Sequence, residues 1–152
     1  MAGVDELADA FLTASRVLVA VAVRSIEAAP VEVTLPQFRV LVLVASRGEQ
    51  TVGQVALELG VNSSNATRVC DRLEQLGLVR RRRSSTDRRV VKVGLTDAGQ
   101  DLVDAVTQIR RAEIVAVLSR MPDLDAARAT RVLEGFATAA QEPEDRYWVT
   151  GT

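Results

Sequence analysis

The residues best equipped for chemistry lie between Leu76 and Gly99, where four consecutive arginines, Arg80 to Arg83, are followed after Ser84-Ser85-Thr86-Asp87 by Arg88 and Arg89. Six guanidinium groups within ten residues repel one another unless an anion neutralises them, and a phosphate backbone is the obvious such anion. The flanking stretches Leu78–Val79 and Val90–Val93 have the composition of strands, and Ser-Ser-Thr-Asp has the polar chemistry of a turn. The segment therefore predicts a β-hairpin with an arginine-rich tip. Residues 62–94 carry nine basic side chains against three acidic ones, a local balance of +6, so a chain with net charge −1 must hold −7 in the remainder. A basic segment on an acidic body is the asymmetry expected of a nucleic-acid face.

The rest of the composition narrows the function classes. At 152 residues the chain has the length of one domain and needs no disulfide staple. Cys70 is the only cysteine, which rules out an internal disulfide or a cysteine-based metal cluster and points to a reducing, cytoplasmic setting. Histidine is absent, so the commonest general base and the commonest metal ligand are both missing. With no paired nucleophile and base, and no glycine-rich phosphate loop, no catalytic residue, metal or cofactor is expected, and an enzyme is the least favoured class. The longest apolar run, Val17 to Val23, is bounded by Arg16 and Arg24. It is far shorter than the roughly twenty residues of a membrane span, and no basic n-region with a cleavage site precedes it, so neither anchor nor signal peptide is expected.

Six helices are needed to carry the hairpin. Val4–Ala28 reads as a long first helix that ends before Pro30, with Leu7, Phe11, Leu18 and Ala22 on a broad apolar face. Thr34-Leu35-Pro36-Gln37 and Thr51-Val52-Gly53-Gln54 both have the form of a capping box. They start a second helix through Ser46, closed by Gly48, and a short third one with Val55, Ala56 and Leu59 inward, stopped by Gly60. Asn62 or Ser63 caps a fourth helix running to Leu76, whose apolar stripe is Ala66, Val69, Cys70, Leu73 and Leu76. Its other face presents Ser63, Ser64, Thr67, Arg68 and Asp71. Thr96 caps a long fifth helix, and a sixth runs from Leu124 to Ala140 after Met121-Pro122-Asp123. The polar tail from Gln141 holds the only Tyr and Trp, Tyr147 and Trp148, which either dock on a partner subunit or belong to a frayed terminus. The expected fold is mostly α with a small β-hairpin wing, in one domain spanning residues 1–152.

Two short helices joined through Gly60-Val61, the second polar at its start, form a helix-turn-helix whose second helix suits the major groove, and the hairpin makes it winged. Here the chain resembles the MarR family of winged helix-turn-helix regulators. The resemblance is carried by Leu35-Pro36-Gln37-Phe38, Val52 to Leu59, Ser63 to Leu78, and Asp87-Arg88-Arg89 followed by Leu95-Thr96 and Gly99. It implies a winged helix-turn-helix over residues 34–99, dimerisation helices over 4–28 and 97–140, and a tail over 141–152.

By that resemblance, a homodimer would bind double-stranded DNA at a pseudo-palindromic operator, most simply as a repressor. Ser63, Ser64, Asn65, Thr67 and Arg68 would lie on the recognition helix, with Arg68 suited to guanine. Asp87 would orient Arg89 by a charge-assisted bond, Arg89 would enter the minor groove, and Arg88 would meet phosphate or share the groove. Strand alternation puts Arg81 and Arg83 on one face and Arg80 and Arg82 on the other, so Arg81 and Arg83 are the DNA-facing candidates of the strand. Arg72, four residues on from Arg68, either reaches phosphate or is structural, with Asp71, Glu74 and neighbouring helices as partners, and the structural reading is favoured. Many MarR-like proteins release DNA on binding a small anionic or phenolic effector, for which Arg16 is the candidate ligand-binding cation. A peroxide-sensing branch keeps a reactive cysteine near the start of the first helix, where this chain has Ala8, Ala10 and Phe11; Cys70 is instead a small core hydrophobe. The competing reading is a winged-helix protein-interaction module without specific DNA binding, favoured by the acidic body and the plain Ser-Ser-Asn face, and opposed by intact Asp87 and Arg89.

Overall fold

The computed structural model describes residues 1–142, and Tyr147 and Trp148 lie outside the described residues. Helices α1 (Ala2–Glu27), α2 (Leu35–Arg47), α3 (Val52–Leu59), α4 (Ser63–Gln75), α5 (Asp97–Leu118) and α6 (Ala126–Ala139) alternate with strands β1 (Gln50–Thr51), β2 (Val79–Arg83) and β3 (Val91–Leu95). Both expected capping boxes form: Thr34 Oγ1 accepts the Gln37 N–H and Thr51 Oγ1 that of Gln54, while each glutamine side chain accepts the N–H of its threonine. Asn62, rather than Ser63, is the cap of α4, its Oδ1 accepting the Asn65 N–H at 2.9 Å. Gly60 stops α3 in the left-handed region (φ 64°), which a side chain would strain.

The core lies within the winged helix-turn-helix. Phe38, Leu41 and Val44 of α2, Val55 of α3, Ala66, Cys70 and Leu73 of α4, Val79 and Val93 of the sheet, and Leu102 and Val106 of α5 form one buried cluster. Arg110 of α5 closes its edge, its guanidinium 5.6 Å from the Phe38 ring centroid.

The sheet differs from the expected two-stranded hairpin in having a third strand. It has three antiparallel strands in the order β1-β3-β2, with Gln50 opposite Val93 and Thr51 opposite Lys92. As expected of Arg80 to Arg83, β2 runs through all four consecutive arginines, from Val79 opposite Leu95 to Arg83 opposite Val91. An edge strand with one face in solvent accommodates charged residues, so the cationic run is strand and only Ser84 to Val90 forms the tip.

Outside this core the helices are sparsely covered. α1 packs on α5 through Val21, Ser25 and Ile26, and Arg24 donates from both Nε (3.1 Å) and Nη2 (2.6 Å) to Glu113. Yet Leu7, Leu12, Val17, Leu18 and Val19 of α1 and Val132, Leu133 and Phe136 of α6 are all exposed. α6 is held by stacking of Phe136 on Phe11, with ring centroids 4.5 Å apart. Just beyond it, Glu142 accepts from Arg39 of α2 at 2.8 and 2.6 Å, and the Gln141 carbonyl accepts from Arg47 at 3.2 Å. Arg39 also pairs with Glu58 of α3.

Candidate nucleic-acid interface

The amphipathicity of α4 decides what it can present. Ala66, Cys70 and Leu73 are buried, which turns Ser63, Ser64, Asn65, Arg68 and Arg72 to solvent on the opposite side. Thr67 is half-buried and returns its hydroxyl to the Ser63 carbonyl at 2.8 Å. The exposed face is thus small and polar near the helix start, where a duplex can approach closely, and cationic one and two turns later. Burial pushes the Cys70 thiol up to about 11, so it remains a protonated core group near neutral pH.

The wing is shaped by its polar tip. Ser84 is buried, its N–H bonds the Val90 carbonyl at 2.8 Å, and its Oγ lies 3.0 Å from Thr86 Oγ1. Asp87 Oδ1 accepts the main-chain N–H of Arg89 at 3.0 Å, and the Asp87 carbonyl accepts that of Val90 at 3.0 Å. The bond expected between Asp87 and Arg89 is therefore present, but it runs to the backbone rather than to the guanidinium. The carboxylate fixes the direction in which Arg89 leaves the turn and leaves the guanidinium uncommitted.

The arginines fall into two groups. Arg81, half-buried, binds Asp71 at 2.5 Å and Glu74 at 2.9 Å, while its own N–H donates to Glu74 at 3.0 Å. That double bond to one side chain and its backbone holds the Glu74 carboxyl below the usual carboxylate range and staples β2 to α4. Arg82, on the other face, is held by Glu49. Among the described residues, Arg68, Arg72, Arg80, Arg83, Arg88 and Arg89 are exposed and have no carboxylate within ion-pairing distance. The alternation expected of the strand holds, but Arg81 and Arg72 exchange the roles expected of them. Asp71 and Glu74 bind Arg81 across the α4–β2 packing, and Arg72 is left on the solvent side.

Recognition helix and wing meet at a cleft of about 410 Å³, lined in part by Thr51, Gly53, Thr67, Arg81, Arg89 and Val90. Thr67 and Arg89 are brought together here; Arg16 is far along the chain on α1, exposed and without an ion-pair partner among the described residues. Sequence reasoning missed Glu49, which lies in the α2–β1 connection and has no local pattern tying it to a strand more than thirty residues on. Among the described residues there is no group of three or more His, Cys, Asp or Glu side chains suited to a metal ion, and no helix long and apolar enough to cross a membrane.

Residues 33–91, from the start of the helix-turn-helix through the wing tip, match the MarR family model. The HTH-type transcriptional repressor MdtR of Bacillus subtilis is 32% identical over 112 residues, covering 74% of this chain and 72% of that protein. This chain belongs to the MarR family. Among solved structures, RV1404 from Mycobacterium tuberculosis is 38% identical with a TM-score of 0.84, covering 94% of this chain and 97% of that one. A MarR family protein from Bacillus stearothermophilus is 25% identical with a TM-score of 0.79, covering 91% and 96%. Family membership makes the protein a winged helix-turn-helix, DNA-binding transcriptional regulator and not an enzyme.

Proposed function

We propose that this MarR-family regulator acts in the cytoplasm as a homodimeric repressor of a pseudo-palindromic operator and lets go of DNA when a small anionic or phenolic compound binds. The observation that carries the reading is the shared exposure of the α4 outer face and the unpaired arginines of the wing, next to an otherwise acidic body. Ser63, Ser64, Asn65, Thr67 and Arg68 would face bases and phosphates in the major groove, Arg83 and Arg88 phosphate, and Arg89 the minor groove, with Asp87 holding the turn. Arg81 serves this surface from behind, as the residue that joins wing to recognition helix.

Dimerisation is supported by the uncovered apolar faces of α1 and α6, where Leu18 is 51% and Phe136 56% exposed in the single chain. Two recognition helices on the order of 34 Å apart would read half-sites one turn apart. Repression is supported by the similarity to MdtR, which is named a repressor. For effector release the supporting feature is Arg16, an exposed cation on α1 with no ion-pair partner among the described residues, which a carboxylate could pair.

Sedimentation combined with DNase footprinting on the DNA upstream of the protein's own gene tests this. The expected result is a dimer that protects two half-sites about one helical turn apart. A monomer, or a dimer that protects no discrete site, contradicts it.

A further inference from the structure

We propose that Glu49 sets the strength and salt dependence of DNA binding: by holding Arg82 in a two-pronged ion pair across the side-chain-free position Gly94, it withholds one wing cation from phosphate and lowers affinity for duplex DNA in general. The inference rests on the DNA-binding reading above and adds to it a residue that lies outside both the recognition helix and the wing.

The sheet explains how a residue so distant in sequence reaches the wing. Alternation puts Arg80, Arg82, Lys92 and Gly94 on the face of the sheet away from the core, with Arg80 opposite Gly94 and Arg82 opposite Lys92. Glu49 immediately precedes β1, which pairs with the far side of β3. To meet Arg82 its side chain must cross β3, and it crosses at Gly94. A Cβ there would stand 3.4 Å from Glu49 Oε1 and 3.5 Å from its Cγ, so anything larger than a methyl group would occupy the path. Once across, Glu49 takes Arg82 Nε on Oε1 at 2.9 Å and Nη2 on Oε2 at 2.6 Å. Arg82, with smaller contributions from Lys92 and Arg80, holds the Glu49 carboxyl below the usual range.

Folding does not account for such an arrangement. Both side chains are largely exposed, 54% for Arg82 and 40% for Glu49, and exposed ion pairs add little to stability. The Arg81 pair differs, since it is half-buried and also engages the strand backbone, as expected of a structural staple. The consequence of Glu49 lies in the field that DNA meets. Affinity for unrelated duplex grows with the number of phosphates neutralised and counterions released. An arginine already neutralised by a carboxylate releases few, and the carboxylate repels the next phosphate. Base readout by α4 is untouched, so affinity for every duplex is held down by a similar factor while the preference among sequences stays with α4.

The test is fluorescence anisotropy with the full chain and its Glu49→Gln, Arg82→Gln and double variants, on upstream and unrelated duplexes across a salt series. Glu49→Gln is expected to bind unrelated duplex about three- to tenfold more tightly near 0.1 M salt, with a log–log salt slope steeper by about one to two per dimer. The upstream duplex gains by a similar factor, and the double variant returns to wild-type behaviour. Unchanged affinity and slope in Glu49→Gln, with wild type binding DNA normally, overturns the proposal alone. A double variant that keeps the gain also overturns it, because the carboxylate would then act without Arg82. Failure of wild type to bind either duplex overturns this proposal together with the DNA-binding reading.

Discussion

Arg89 and Asp87 divide one task at the wing tip. The guanidinium of Arg89 is uncommitted, and the carboxylate of Asp87 fixes the backbone that carries it. Arg89→Ala should weaken operator binding by about 1 to 3 kcal/mol, measured by anisotropy, while circular dichroism shows an unchanged fold. Because Asp87 works through a main-chain N–H, Asp87→Asn, which keeps an acceptor oxygen, should retain most of the affinity, and Asp87→Ala should lose about 1 kcal/mol or more. Equal losses in both would mean that the charge of Asp87, rather than its hydrogen bond, is what matters. This division was half legible in the sequence. Asp-Arg-Arg between strand and cap marked the tip, but which atom of Arg89 the carboxylate binds depends on how the turn closes. The exchange of Arg81 and Arg72 was illegible for a related reason. Asp71 and Glu74 are close to Arg72 in sequence, but residues one and two apart on a helix do not face each other, and the packing of β2 on α4 brings Arg81 to those carboxylates instead.

The most constrained junction between elements is the one that attaches α5 to the wing. Thr96 caps α5 by accepting the Gly99 N–H at 3.0 Å, donates its hydroxyl to the Gly77 carbonyl at 2.6 Å, and gives its N–H to the Leu78 carbonyl at 3.1 Å. Gly99 lets the helix approach that closely, since a Cβ would lie 2.1 Å from the Leu78 carbonyl oxygen, a backbone atom that cannot swing aside. Gly99→Ala should therefore cost about 3 kcal/mol, read as a lowered denaturant midpoint, and Thr96→Val about 1 kcal/mol from the lost cap. An unchanged midpoint in Gly99→Ala would show that α5 is not clamped to the α4–β2 turn. At this scale the sequence was most legible: capping boxes, stop glycines and apolar stripes located all six helices, because each is a local signal. β1 left no such signal. It is two residues long, and Thr51 is also the cap of α3, so the third strand exists through its pairing with β3 and not through its own composition.

Charge and uncovered apolar surface are properties of the whole molecule. The absence of histidine leaves no side chain with an ordinary titration point between about pH 5.5 and 8, so stability and DNA binding should be nearly flat across that range. Glu49, Glu74 and Glu142 have carboxyls lowered by Arg82, Arg81 and Arg39. A carboxyl depressed in the folded state stabilises it above the unfolded value of roughly 4.3, and that contribution is lost as pH falls through the depressed folded value. Thermal melts should accordingly show a plateau from pH 8 to about 5.5 and a decline below about 4.5; a transition near pH 6.5 would contradict this reading. The +6 segment on a −7 body was visible in the sequence before any fold was known, whereas the pairing that silences Arg81 and Arg82 was not. The central claim is that this surface reads a DNA sequence, and anisotropy titration of upstream DNA against a shuffled duplex, each at two salt concentrations, tests it most directly. Tight, salt-weakened binding to the upstream duplex alone is the predicted result; equal and weak binding to both would contradict it and move the weight to a protein partner.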